Sequence, residues 1–115
     1  ICNLTGDGNT AVGGTATGTI PVMWNNTTGC CNSAFGTAAL ADNTTGSNNT
    51  AIGNEALESN ISGSDNTAIG KNSLNTNTSG SNNVAVGVEA LKLNSTGTNN
   101  VAIGFEALQW NTTGQ

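Results

Sequence analysis

Three cysteines are the most reactive side chains in this 115-residue sequence, and all lie in its first third, at Cys2, Cys30 and Cys31. Thiols grouped in this way are candidates for a disulfide, within one chain or between two, that would staple the amino-terminal part of the molecule. The odd count leaves one thiol free or shared with a neighbour. A metal site has less support, because there is no histidine and no Cys-x-x-Cys pair. A second chemistry-bearing pattern is Asn-x-Ser/Thr, at Asn3, Asn26, Asn43, Asn60, Asn77, Asn94 and Asn111. In a host that glycosylates such sites, one edge of the molecule would carry a row of sugars. The same words also serve as bends, since asparagine and threonine bond to nearby backbone and glycine takes positive φ easily. Carboxylates recur too: Glu55, Glu89 and Glu106 share one phase, and Asp65 shares the phase of Asn48, Asn82 and Asn99. A calcium roll needs a denser Gly/Asp pattern, so a solvated acidic edge is expected. With no histidine, tyrosine or arginine and no nucleophile beside a base, no catalytic constellation can be drawn. The expectation is a non-enzyme without metal or cofactor.

What positions these residues is a repeat. Ala34, Ala51, Ala68, Ala85 and Ala102 are spaced by 17 residues, and other features follow the same phase. Leucines fall at Leu40, Leu57, Leu74, Leu91 and Leu108, and asparagines at Asn32, Asn49, Asn66, Asn83 and Asn100. An earlier unit, "NLTGDGNTAVG", keeps the phase but precedes the next by 23 residues, so six extra residues must be placed within "TATGTIPVMWN". The organisation expected is an irregular amino-terminal coil with insertion and cysteines over residues 1–33, then regular coils over 34–115.

Seventeen residues are too few for a helix-turn-helix unit and lack a 3.6-residue apolar period, so each unit reads as one coil of a parallel β-solenoid, an all-β fold. "TAIG" is the strand, "NEAL" the second side, and "ESNISGS" closes the coil; one helical turn over "NEALES" is the competing reading. By strand alternation, Thr50 and Ile52 point one way and Ala51 and Gly53 the other. Ile52, Ile69, Val86 and Ile103 are expected as one core column and the leucines as another, with the alanine column outward. Stacked about 4.8 Å apart, Asn32, Asn49, Asn66, Asn83 and Asn100 would form an asparagine ladder in a rod on the order of 30 Å long. Two large apolar residues per coil are few against the entropy of ordering seventeen, so parallel copies are expected to pack around a common axis, three being the natural closed number.

Composition narrows the partners. Apolar residues make up 35% of the chain and aromatic ones 3%, while only 8% are charged, which favours stacked backbone over either a large core or a disordered polyelectrolyte. A net charge of −5 with two lysines offers no basic patch, so nucleic acid is not an expected partner. No apolar run reaches the roughly 20 residues that cross a bilayer, so membrane insertion is not expected.

The words "NTAIG", "NTAIG", "NNVAVG" and "NNVAIG", each followed by alanine or serine and then leucine, resemble the head repeats of trimeric autotransporter adhesins. They are similar also to the repeats of phage tail-fibre-like bacterial surface fibres. The resemblance runs from about Asn9 to Gly114 and implies a left-handed, homotrimeric β-roll outside the cell or on a virion, used for attachment to a cell-surface or glycan receptor. It implies core positions at Ile52, Ile69, Val86 and Ile103 and corners at Gly53, Gly70, Gly87 and Gly104. The 17-residue unit is longer than the common adhesin unit. The function expected is a structural, adhesive fibre segment, with Pro21, Met23 and Trp24 as a contact loop; Trp24 as a cap on the core is the equal alternative. A second function is ice binding through Thr/Asn ladders, although Val84 and Val101 interrupt the column of Thr50 and Thr67. "WNTTGQ" shares the phase of "CNLTGD", so end-to-end stacking into filaments is a further expectation.

Overall fold

The computed structural model describes residues 5–13, 18 and 20–115; Cys2 and Asn3 lie outside the described residues. Each repeat contributes one short strand: β1 Thr10–Val12, β2 Ser33–Phe35, β3 Thr50–Ile52, β4 Thr67–Ile69, β5 Val84–Val86 and β6 Val101–Ile103. They lie in chain order as one parallel sheet, with Ala11, Ala34, Ala51, Ala68, Ala85 and Ala102 in register. Parallel pairing of consecutive strands obliges the chain to circle back between them, and doing so once per repeat makes a β-solenoid. Pairing continues round the coil: the Thr50 N–H donates to the Asn66 carbonyl at 2.8 Å, that of Leu57 to Ser73 at 3.0 Å, and that of Thr44 to Ile61 at 3.0 Å. The longest dimension is 32 Å and the shortest 17 Å.

"NEALES" is a run of turns, and no helix occurs among the described residues. Glu55 (φ 58°) and Leu57 (φ 51°) both take left-handed backbone, which a right-handed helix excludes. For leucine that conformation costs on the order of 1–3 kcal/mol. The cost is offset by burial of the side chain, worth roughly 1.5–3 kcal/mol, since Leu40, Leu57, Leu74 and Leu91 are all fully enclosed. Leu108, in the last coil described, is exposed.

The strands alternate as expected, but the two faces are exchanged. Ala34, Ala51, Ala68 and Ala85 are completely buried, whereas Ile52 (40%), Ile69 (37%) and Ile103 (70%) are exposed and Val86 is half-buried. The Ile/Val column is therefore not core within the chain, and the alanine edge is not a surface for another chain. Space decides this. The leucine column, a second small column (Ala39, Ala56, Ser73, Ala90) and two files of asparagine already occupy the interior, leaving room only for a methyl group opposite. Because the side-chain period is two, putting alanine inside places every isoleucine outside.

The extra residues are also relocated. The Ala38 N–H donates to the Ile20 carbonyl just as that of Glu55 donates to Thr37, so the 17-residue phase holds from Ile20 onward. The six extra residues fall between Gly13 and Ile20, and "PVMWN" belongs to the coil. Met23, 1% exposed with φ 47°, takes the place that leucine holds in later coils. It is a core residue and not part of a contact loop. Trp24 beside it is 48% exposed.

Candidate interaction surface

Two ladders of asparagine run through the interior. In the first, the backbone N–H groups of Asn49, Asn66, Asn83 and Asn100 donate to the Oδ1 of the asparagine one coil earlier, at 2.9–3.0 Å. The Nδ2 groups of Asn32, Asn49, Asn66, Asn83 and Asn100 donate to the carbonyls of Gly46, Gly63, Gly80, Gly97 and Gly114 at 2.8–2.9 Å. Each side chain thereby satisfies backbone groups at a corner where the regular pairing is interrupted.

The second ladder consists of sequon asparagines. Nδ2 of Asn43, Asn60, Asn77 and Asn94 donates to Oδ1 of Asn26, Asn43, Asn60 and Asn77 at 2.7–3.0 Å. It donates also to the carbonyls of Gly46, Gly63, Gly80 and Gly97 at 2.9–3.0 Å. Asn26, Asn43, Asn60, Asn77 and Asn94 are fully buried, and Asn111 is half-buried and bonded to Asn94 at 3.3 Å. The sugar of an N-glycan would be attached to the nitrogen that makes these bonds, so the folded coil keeps the acceptor nitrogens of Asn43, Asn60, Asn77 and Asn94 within its own pairing. Incubation of folded protein with an oligosaccharyltransferase is expected to leave Asn60 and Asn77 unmodified, while the urea-unfolded chain is modified; site-resolved mass spectrometry checks this.

Cys30 and Cys31 are free thiols, so the expected staple is not formed among the described residues. Both occupy regular places in the repeat, and their expected partner Cys2 lies outside the described residues. Cys30 belongs to a column in which Ser47, Ser64 and Ser81 hydroxyls accept from the backbone one coil earlier at 3.0–3.1 Å, and its Sγ lies 3.6 Å from Ser47 Oγ. Cys31 is exposed at φ 60°, the conformation held by Asn48, Asp65, Asn82 and Asn99 in later coils. A hydrogen bond with Cys30 raises the pKa of the Cys31 thiol, which disfavours the thiolate nucleophile.

Of the acidic column Glu55, Glu89 and Glu106, Glu89 is the one bonded by side-chain donors. Lys92 Nζ bonds Glu89 Oε1 at 3.0 Å and holds its carboxyl below the usual range, while Gln109 Nε2 donates to Oε2 at 2.6 Å. Asn75 Nδ2 donates to Glu58 Oε2 at 3.0 Å, and Asp65 is exposed in a different column. No group of three potential metal ligands occurs among the described residues. An open hollow of about 380 Å³ is lined by Ile20, Pro21, Trp24 and Asp42, whose carboxylate accepts from Asn25 Nδ2 at 2.9 Å.

What remains is the outer face of the sheet. Val12 (54%), Phe35 (38%), Ile52, Ile69, Val86 and Ile103 form a continuous apolar column flanked by Thr10, Ser33, Thr50, Thr67, Val84 and Val101. Sequence reasoning placed this column indoors. The repeats did carry a clue: the inward position is alanine in every strand, as a tight interior demands, whereas the outward one admits valine, isoleucine and phenylalanine. No family model matches the chain, and neither curated proteins nor solved structures give a significant match.

Proposed function

We propose that this chain is a rod segment of an extracellular or virion fibre, a structural and adhesive element in which three parallel copies pack around an axis through the outer face of β1–β6. The left-handed sense implied by the resemblance to adhesin heads belongs to the same reading. One observation carries it: a sheet face with a file of six large apolar side chains, of which Val12, Phe35, Ile52, Ile69 and Ile103 are exposed and Val86 is half-buried. Soluble monomers rarely leave contiguous apolar surface of that kind in water. A file with one side chain every 4.8 Å or so is met rung for rung by an equally spaced file, which another copy of the repeat supplies. Closing three copies gives each chain the apolar burial that its narrow interior does not provide.

Ice binding is the second reading; the two asparagine ladders face inward, and the column of Thr50 and Thr67 is half-buried and continued by Val84 and Val101. Sedimentation equilibrium tests the fibre reading. The expected mass is about three times the 11.4 kDa of one chain, reverting towards one chain in Ile52→Lys/Ile69→Lys. A wild-type protein that stays monomeric at its solubility limit would sink the proposal, and thermal hysteresis in that monomer would favour ice instead.

A further inference from the structure

Cys30 and Cys31 are neighbours in the chain, and the corner they occupy sets their sulfurs side by side. In a strand, consecutive side chains point to opposite faces. Cys31 has φ 60°, and a left-handed residue ends that alternation. The same corner shows the effect later in the rod, where Asn99 (φ 59°) brings its Nδ2 to 3.5 Å from Oγ1 of Thr98 before it. At Cys30 and Cys31 the pair is two thiols, hydrogen-bonded to each other. Their backbone is fixed from both sides, since the Cys31 N–H donates to the Asp7 carbonyl and the Asn48 N–H to the Cys30 carbonyl, each at 3.0 Å. The sulfurs can also be reached. Cys31 is exposed and Cys30 half-buried, and the residue stacked on Cys31 one coil earlier is Gly8, where even a Cβ would stand 3.5 Å from Sγ.

Two sulfurs are too few for a tetrahedral zinc set, and no third ligand group stands with them among the described residues. What two thiols in contact do suit is a soft centre bound by a pair of sulfurs. Their bite is narrow. A linear ion asks for sulfurs on opposite sides of it, whereas adjacent residues whose thiols touch can close only on a centre with two bent bonds. We propose that Cys30 and Cys31 together form a capture site for trivalent arsenic, as arsenite or an organic arsenic(III) oxide. On binding, two As–O bonds break and two As–S bonds form, and the two thiol protons leave with the displaced oxygen as water. Arsenic stays trivalent, so no oxidant or reductant is needed. A thiol whose pKa is raised, as that of Cys31 is by its hydrogen bond with Cys30, is no obstacle to a reaction that carries its proton away in water. The corner has already brought the sulfurs together, so little ordering remains to be done on binding. The site lies within one chain and is independent of whether copies associate.

The test uses the full chain, kept reduced, with phenylarsine oxide as the probe, which two thiols take up with loss of one water. Ser47 and Asn48 hold the same two places in the next coil, so Cys30→Ser and Cys31→Asn bring in residues that the corner already accommodates. Intact-mass spectrometry and thiol titration are expected to show one arsenical bound and two thiols consumed, both in wild type and in Cys2→Ser. The adduct should survive excess monothiol and be released by a dithiol chelator. Cys30→Ser and Cys31→Asn are each expected to bind about a hundredfold more weakly or worse, because the effective concentration of the second thiol is lost. Circular dichroism checks that each variant keeps its β-sheet signal. Should both corner variants fail to fold, peptide mapping of the wild-type adduct decides, with a bridge between Cys30 and Cys31 supporting the site and any other bridge overturning it. Wild type that takes up no arsenical, undiminished binding in either corner variant, or lost binding in folded Cys2→Ser would overturn it as well.

Discussion

Gly63→Ala is expected to unfold the central coils or to cost more than about 4 kcal/mol, the range reserved for substitutions that break backbone packing outright. Conformational freedom is not the reason, because Gly63 does not use positive φ. Its missing side chain is where the next coil's backbone passes: a Cβ there would overlap the Gly80 carbonyl oxygen and crowd Asn60 Oδ1 and Asn77 Nδ2. Neither neighbour can retreat, since Asn77 Nδ2 holds both Asn60 Oδ1 and the Gly80 carbonyl. Gly53 provides the contrast. It has φ 135°, where side chains are strained, and a Cβ would also meet the Gly70 carbonyl at 2.7 Å. Urea melts of Gly63→Ala and Gly53→Ala beside wild type check the expectation. A loss below about 1 kcal/mol, the usual range of a surface change, would show that the coils are looser than the structure depicts.

Asn66→Leu, nearly isosteric, is expected to cost about 2–4 kcal/mol, because the asparagine is the acceptor for the buried Asn83 backbone N–H and one of two donors to the Gly80 carbonyl. Its Oδ1 accepts from the Asn83 backbone N–H at 3.0 Å and from Asn83 Nδ2 at 3.1 Å, and its Nδ2 donates to the Gly80 carbonyl at 2.8 Å. Removing the amide strands a buried N–H and its half of the Gly80 pairing, each costing roughly 1–3 kcal/mol. Asn66→Asp separates the two halves. The carboxylate still accepts from Asn83, but it sits in a fully buried site facing a carbonyl, so burial raises its pKa above the unfolded value. A raised carboxyl pKa means that the folded form binds the proton more tightly, so the variant is most stable below the unfolded pKa and loses stability as pH rises towards the folded one. Urea midpoints for both variants across pH give the answer. An Asn66→Asp profile that is flat or improves with pH would show that water reaches the ladder.

Much of the architecture was legible in the chain because a solenoid writes its geometry as a period. The recurrence of Ala51, Leu57, Asn60, Gly63 and Asn66 at 17-residue intervals identified the coil, its strand and the stacking of like on like. The period says nothing about which side of a strand is inside. Hydrophobicity pointed to isoleucine, and volume overruled it: the interior holds one leucine and two asparagines per coil and has room left only for alanine. The sequons misled for a related reason. Asparagine at a bend reads as a surface residue, yet here the bend turns its amide into the coil, where the glycine three residues on leaves space for it. Ile52, Ile69, Val86 and Ile103 of the outer face were therefore named from the sequence, but with their direction reversed, while Val12 and Phe35 were not named at all.

The first strand pairs with the second across 23 residues where every later pair spans 17, yet Thr10, Ala11 and Val12 still meet Ser33, Ala34 and Phe35 in register. The register of the coils is thus the same on either side of residues 14–19. Gly13 holds the place that Gly36, Gly53, Gly70 and Gly87 hold in later coils, so the spine keeps its regularity across a repeat of unequal length. One storey of the stack is six residues longer than the rest, and the floors above and below it stay level.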